Sequence, residues 1–431
     1  MKLLVIGGGG REHALAWKFA RSPRISKVYV APGNAGTALE DGLANVDITD
    51  HAKLIEFAQH EQIAFTVVGP EAPLAAAVVD TFQAAGLRIF GPTQRAAQLE
   101  SSKDFAKSFM QRYRIPTAEY RTFTAAQAAH QYIDARGAPI VIKADGLAAG
   151  KGVVVATDLQ HAHAAVDMML VDNKLGAAGN RVVIEDFLDG EEASFIVMVD
   201  GKRALALATS QDHKRLKDGD EGPNTGGMGA YSPAPVITPG IHAKVMREVI
   251  QPVVVGMERE GAPFTGFLYA GLMIGKDGRV KVLEFNCRMG DPETQPIMLR
   301  LKSDLYALVE HALGGTLDQA EAEWDTRAAL GVVLAASGYP DAPRRGDAIT
   351  GLPPAHPNSG DDYHVFHSGT ALNGKQVVTN GGRVLCVTAL GHNVKMAQRR
   401  AYEIAEAIRF DGMQMRCDIG RRAVQNRRRG G

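Results

Sequence analysis

The stretch VLEFNCRMGDPETQP, residues 282–296, holds the densest set of side chains that could do chemistry. In an extended strand alternate side chains share a face. Glu284 and Asn286 therefore point the same way, and their oxygens can converge on a hard divalent cation such as Mg²⁺. A carboxylate and an amide ending an apolar strand are costly unless they are paired or liganded. The loop that follows supplies Arg288, Asp291, Glu293 and Gln295. Cys287 faces away from this set, and no His–Cys arrangement accompanies it, so it reads as a core residue and not a nucleophile.

Three further stretches could bind anions. QDHKR (211–215) and GPNTGGMGAYSP (222–233) share one long polar segment. In it Lys214 and Arg215 can hold negative groups, while Gly226 and Gly227 let the backbone approach a ligand closely. KADGLAAGKGVVVA (143–156) resembles a triphosphate loop but fails the pattern. Its glycines are wrongly spaced, no Ser or Thr follows Lys151, and it joins two strands where a P-loop opens a helix. VIGGGGREHA (5–14) has Gly7 and Gly9, but Glu12 stands where a dinucleotide fingerprint needs its third glycine. Backbone N–H groups at the helix start still offer an anion site.

The elements that must position these groups fall into three regions. Over the first hundred residues KLLVI, KVYVA, FTVVG and RIFG alternate with helical stretches such as REHALAWKFARS. That alternation predicts a parallel, doubly wound sheet with ligands beyond the carboxyl ends of its strands. The middle of the chain predicts strands PIVIKA, VVVA, RVVIEDF, SFIVMVD, FLYAGLMI and RVKVLEFN. Helices are expected around 125–136, 158–171, 238–260 and 296–313, and residues 211–233 read as a long loop. After residue 327 the pattern turns antiparallel, with the NGG turn at 380–382 expected to join QVVT and RVLCVTALG as a hairpin. The length of 431 residues suits about three domains.

Composition excludes several classes. Forty-eight basic and 48 acidic residues give no net charge, and hence no global attraction to nucleic acid or anionic lipid. No segment approaches the roughly 18 apolar residues of a membrane helix. Three cysteines without a CxxC pair fit a reducing, cytoplasmic setting. The tail RRAVQNRRRGG, with Arg421, Arg422, Arg427, Arg428 and Arg429, lacks interleaved aromatics and reads as a frayed, solvated end.

Taken together, GGGGREHALAW, APGNAGT, VGPEAPL, IVIKADGLAAGKGV, EDFLDGEEASF, QDHKR, GPNTGGMGAYSPAP, EFNCRMGDPETQ and TNGGRVLCVTALG closely resemble the phosphoribosylamine–glycine ligases, ATP-grasp enzymes of purine biosynthesis. The resemblance implies an α/β and α+β multidomain fold. It has a doubly wound N-terminal domain at 1–102, a split ATP-grasp unit at 103–327 with a lid lobe at about 123–188, and a mainly antiparallel domain at 328–431. It implies that ATP, glycine and 5-phosphoribosylamine give ADP, phosphate and glycinamide ribonucleotide through a glycyl phosphate. By the same resemblance Glu185, Phe187 and Leu188 would clasp adenine, Glu192 would meet the ribose, and Lys103 and Lys143 the phosphates. Asn224 would contact ATP, Glu284 and Asn286 would hold Mg²⁺ or Mn²⁺, and Lys214, Arg215, Gly226 and Gly227 would serve the substrates. Arg288, Asp291 and Glu293 would arrange the transferred phosphate and the amine, with Gly9 and Gly10 at the phosphoribosylamine site. A monomer without nucleic-acid or membrane partners is expected. Two departures stand out: LYAGLMI offers no additional acidic metal ligand, and Met289 occupies a position where the family's pattern suggests Phe. A nicotinamide-dependent oxidoreductase, the alternative for the N-terminal domain, would need an acidic end to the second strand, which instead ends in Pro32-Gly33.

Overall fold

A computed structural model describes residues 1–148, 152–354 and 362–426. Lys151 and the arginines 427, 428 and 429 lie outside the described residues. The N-terminal strands are buried apolar runs, as parallel strands covered on both faces must be. Their spatial order is Leu43–Asn45, Lys27–Pro32, Lys2–Gly7, Phe65–Val68, Ile89–Phe90, all parallel. The winding reverses between Lys2–Gly7 and Phe65–Val68, so the loops after those two strands splay apart and open a crevice.

The middle region has two four-stranded antiparallel sheets and a two-stranded pair, Arg215–Lys217 with Glu221–Asn224. The smaller sheet orders Tyr120–Phe123, Val182–Asp186, Ile140–Ala144 and Val153–Ala156. Helices Ala126–Arg136 and Leu159–Val166 cover it around a separate core of Ile133, Ile142, Val166 and Ile184. The larger orders Ala204–Ala206, Glu191–Asp200, Thr265–Ile274 and Val280–Asn286. Residues 187–190 carry the chain from one sheet to the other.

Four expectations give way. The predicted helix over 296–313 is two helices, Thr294–Arg300 and Leu305–Leu313. Leu301 turns extended to bridge Trp324, and the Asp304 carboxylate caps the second helix at the Tyr306 N–H, 3.0 Å away. The supposed loop at 211–233 is built of short strands, and Gly229–Ser232 pairs with Ala328–Ala335 as part of the C-terminal antiparallel sheet. The NGG hairpin does not form, because Arg383–Gly391 already has Ala328–Ala335 on one side and Tyr363–His367 on the other. Gln376–Thr379 pairs instead with Thr370–Asn373, and Asn380 donates to the Gly369 carbonyl at 2.7 Å. The C-terminal tail is not wholly frayed: Arg421–Asn426 is a helix, and Arg422 pairs with Asp220 at 2.7 Å.

The N- and C-terminal regions are tied by a buried histidine cluster. His13 Nε2 lies 3.3 Å and His364 Nε2 3.1 Å from the same Glu40 oxygen. The three could reach a metal ion. His13 Nδ1, however, accepts the His367 backbone N–H at 2.9 Å, so the neutral ring carries its proton on Nε2 and donates to Glu40. The arrangement is a hydrogen-bonded tie. Burial lowers the His13 imidazole and takes His367 from 6.5 to about 3. Unfolded His367 thus binds a proton that the folded protein refuses, so its contribution is full above 6.5 and is lost as pH falls towards 3. Each pH unit below 6.5 should remove up to about 1.4 kcal/mol through this group. Urea midpoints measured at about pH 7 and about pH 5 should therefore drop, and His367→Asn should flatten that slope.

Candidate active site between the lobes

A cavity of about 920 Å³ opens where the small sheet, the large sheet and the N- and C-terminal regions meet. Its volume is that of a pocket for a large small-molecule ligand. On the small-lobe side, Lys143 and Glu185 come from neighbouring strands and form an ion pair, both buried. Lys143 Nζ also donates to the Leu283 carbonyl of the large sheet at 3.1 Å. Lys107, from the helix Lys103–Arg112, pairs with the other Glu185 oxygen. Burial pushes the Glu185 carboxyl up, but Lys143 and Lys107 outweigh it and hold the group below the usual carboxylate range. Burial also lowers the Lys103 ammonium, which donates to the Gly146 carbonyl at 3.2 Å.

Past Glu185 the chain exposes Phe187, which is 43% accessible although apolar, and then Leu188; both face the cavity. An aromatic ring left in solvent at a cavity mouth is available to stack on a flat ligand. Glu192, at the start of the next strand, is paired with Lys214. Arg215 donates to the Gly222 carbonyl at 2.8 Å, and with Asn224 and Gly226 it lines the same wall.

The floor belongs to Val280–Asn286. Alternation buries Phe285 while Glu284 and Asn286 face the cavity, as the pattern predicts. An irregularity in the pairing with Thr265–Ile274 falls between Val282 and Glu284, so Val282 is buried although it shares their parity. Burial raises the Glu284 carboxyl, yet Lys214, Lys143, Lys103 and Arg288 together bring it down to about 2. An ionised carboxylate beside an amide carbonyl is an oxygen donor set of the kind Mg²⁺ and Mn²⁺ prefer. Cys287 points into the core, and its N–H donates to Glu100 at 2.7 Å.

The far wall is a second charge cluster. Arg288 reaches Glu100 at 2.9 Å and Glu71 at 3.2 Å. Asp291 is held by Gln295 at 2.8 Å and by Arg383 of the C-terminal sheet at 3.3 Å. Glu293 accepts from the hydroxyls of Ser194 and Tyr269, each at 3.0 Å. Met289 is buried in the core, filling apolar space.

Fifteen of the expected residues thus share one cavity wall, and three do not line it. Gly227 is pressed against Pro292, with φ +116, where a side chain would collide. Gly10 is packed under Ser368 and Gln295. The Gly9 N–H donates to the chain's own Glu12 carboxylate at 2.6 Å. Sequence reasoning missed Lys107, Glu71, Glu100, Asp212, Arg383 and Arg422, all on the wall. Lys107 had a signal, since it lies one helical turn from Lys103 and shares its face. The burial that pushes the Asp212 carboxyl up to about 8 depends on contacts no local pattern carries.

Comparison with known proteins agrees across the chain. Residues 1–100, 101–294 and 329–422 match the family models described as phosphoribosylglycinamide synthetase N domain, ATP-grasp (A) domain and C domain. Phosphoribosylamine–glycine ligase of Ralstonia nicotianae is 65% identical over 425 residues, 99% of this chain and all of that protein. The Escherichia coli K12 protein of the same name is 63% identical over 428 residues, 99% of each chain. The crystal structure of phosphoribosylamine–glycine ligase from Thermotoga maritima superposes with a TM-score of 0.84 at 35% identity, covering 97% of this chain and 100% of that one. The biotin carboxylase domain of Hydrogenobacter thermophilus 2-oxoglutarate carboxylase, with magnesium ADP, shares the fold alone: TM-score 0.72 at 13% identity, over 96% of this chain and 91% of that one.

The far wall makes a stability prediction. Arg288→Met leaves Glu100 and Glu71 without their shared cation and should cost about 3 kcal/mol in urea unfolding, with Glu100→Gln in the same chain recovering part of it.

Proposed function

The chain belongs to the phosphoribosylglycinamide synthetase family, and from that premise we propose how its cavity performs the family's ATP-dependent ligation. The enzyme joins glycine to 5-phosphoribosylamine in purine biosynthesis, with ATP as the energy source. In the proposed course a glycine carboxylate oxygen bonds to the γ-phosphorus as the bond to ADP breaks, giving glycyl phosphate. The amine nitrogen then bonds to the acyl carbon, phosphate leaves, and the nitrogen loses a proton.

Such transfers need little covalent help from the protein; positioning and charge neutralisation do most of the work. The observation that carries the reading is that Lys103, Lys143, Glu284, Asn286 and Arg288 converge on one cavity, beneath an exposed Phe187. Glu185, Phe187 and Leu188 would receive adenine and Glu192 the ribose. Lys103 and Lys143 would meet the phosphates, and Asn224 would contact the nucleotide. Glu284 and Asn286 would hold a divalent ion, Mg²⁺ or Mn²⁺, which when bound offsets phosphate charge; the strand Thr265–Ile274 adds no carboxylate to that set. Arg288, Asp291 and Glu293 would orient the transferred group and the amine, and Lys214, Arg215, Gly226 and Gly227 the substrates. Gly9 and Gly10 would help shape the phosphoribosylamine site from behind the wall.

The separate core of the small lobe supports its closing as a lid at about 123–188, within a division at 1–102, 103–327 and 328–431. No helix among the described residues is long and apolar enough to cross a membrane. A monomer in the cytoplasm completes the proposal.

ADP release should require both glycine and phosphoribosylamine generated in situ, and omitting either should abolish it. Glu284→Ala should lower turnover by at least ~100-fold, a loss typical when a charge-stabilising group is removed. ADP release that persists in that variant, or that ignores both substrates, would sink the assignment. Lys143→Ala should impair ATP use far more than Lys151→Ala; equal ATP KM and kcat in the two would reverse that ranking.

A further inference from the structure

Lys107 has no role in the reading above, yet it is among the most deeply placed charges in the molecule. Its side chain is 3% exposed and ion-paired to Glu185 Oε2, an oxygen with no other donor among the described residues. Its Nζ also donates to Thr117 Oγ1 at 2.7 Å, and that hydroxyl donates onward to the Val282 carbonyl at 2.7 Å. Lys107 is therefore anchored to the strand that carries Glu284 and Asn286, with Tyr120's ring 5.8 Å away. A lysine withdrawn from water this far forfeits hydration worth several kcal/mol, and a structural salt bridge alone rarely repays it.

The two oxygens of Glu185 are shared between two lysines of different fate. Lys143 holds Oε1 and is assigned above to the phosphates, so a bound nucleotide draws its charge away from Glu185. Lys107 faces no part of the triphosphate in that reading and stays. We propose that Lys107 is a specificity-determining positioning residue, keeping Glu185 an acceptor-only carboxylate so that the hinge selects a purine with a 6-amino group over one with a 6-carbonyl. This rests on the placement of the base at Glu185. A carboxylate can accept from an amino N–H but presents only lone pairs to a carbonyl, whereas a protonated carboxyl can donate. Burial by itself favours the protonated form, and Lys107 opposes it. Sites built to hydrogen-bond a substrate group discriminate strongly, because the wrong partner leaves buried polar atoms unpaired.

ATP and inosine triphosphate differ at that position and at the adjoining N1, which accepts in adenine and carries a proton in the 6-carbonyl base; they are the probes. In Lys107→Met the ratio of kcat/KM for ATP over inosine triphosphate should fall at least ~10-fold, about 1.4 kcal/mol, with the glycine KM unchanged. Raising the pH should restore the ratio as Glu185 ionises again; besides Lys107, the charged group facing it is Lys143 on the adjacent strand. Thr117→Val, which removes only the anchor of Lys107, should move the ratio the same way by less, and it serves if the methionine variant does not fold. Equal losses for both nucleotides, or an unchanged ratio, would overturn the proposal. Glu185→Gln separates the two levels, since an amide can present either face. If it collapses the preference while Lys107→Met does not, only the role of Lys107 fails. If Glu185→Gln leaves the preference intact, the base does not sit at Glu185 and the placement itself fails.

Discussion

A carboxylate taken out of water must be met by cations, and in this protein that need decides where separate segments come together. Glu185 is buried with one lysine on each oxygen, one from an adjoining strand and one from a helix that precedes the small lobe. Arg288 stands between Glu71 and Glu100, which reach it from the loop side of the N-terminal sheet and from the short helix Gln98–Ser101. Leaving any of these charges alone would cost several kcal/mol, against a total stability of about 5–15 kcal/mol for a domain. The cavity lies where these elements converge to satisfy such groups.

What could be read in advance was whatever depends on neighbours in the chain. The two-residue alternation of EFNC places Glu284 and Asn286 on the cavity and turns Cys287 into the core without any tertiary knowledge. Long apolar runs likewise announce the N-terminal sheet. Residues 211–233 were opaque because their strands are two to four residues long, below the length at which alternation can be seen. The turn at 380–382 has the right chemistry for a hairpin, but both flanks of Arg383–Gly391 are taken by strands remote in sequence. Arg422 reads as part of a basic tail until Asp220, some two hundred residues away, is placed beside it.

The glycine-rich first loop shows a motif departing from its template for a physical reason. Glu12 stands in place of the third glycine, and its side chain occupies the space that Gly7 and Gly69 leave by having none; a Cβ at either would collide with it. From there its carboxylate takes the N–H of Gly9 and pairs with Arg11 at 2.5 Å. The helix start thus has its negative charge supplied from within the chain. That fits a loop whose task is to brace Arg11 on the cavity wall more than a fingerprint for a dinucleotide.

The strand Gly229–Ser232 leaves the middle of the chain and completes the C-terminal sheet, lying between Gln211–Asp212 and Ala328–Ala335. The architectural units are therefore not intervals that a single cut could separate. A fragment beginning near residue 328 would display a bare edge along Ala329–Val332, four buried residues whose backbone groups on that side have lost Gly229–Ser232. Any shuffling of modules, by nature or by an engineer, has to carry the interrupting strand along or expect the severed piece to polymerise. A continuous reading frame is what keeps that edge from ever being seen by a second molecule.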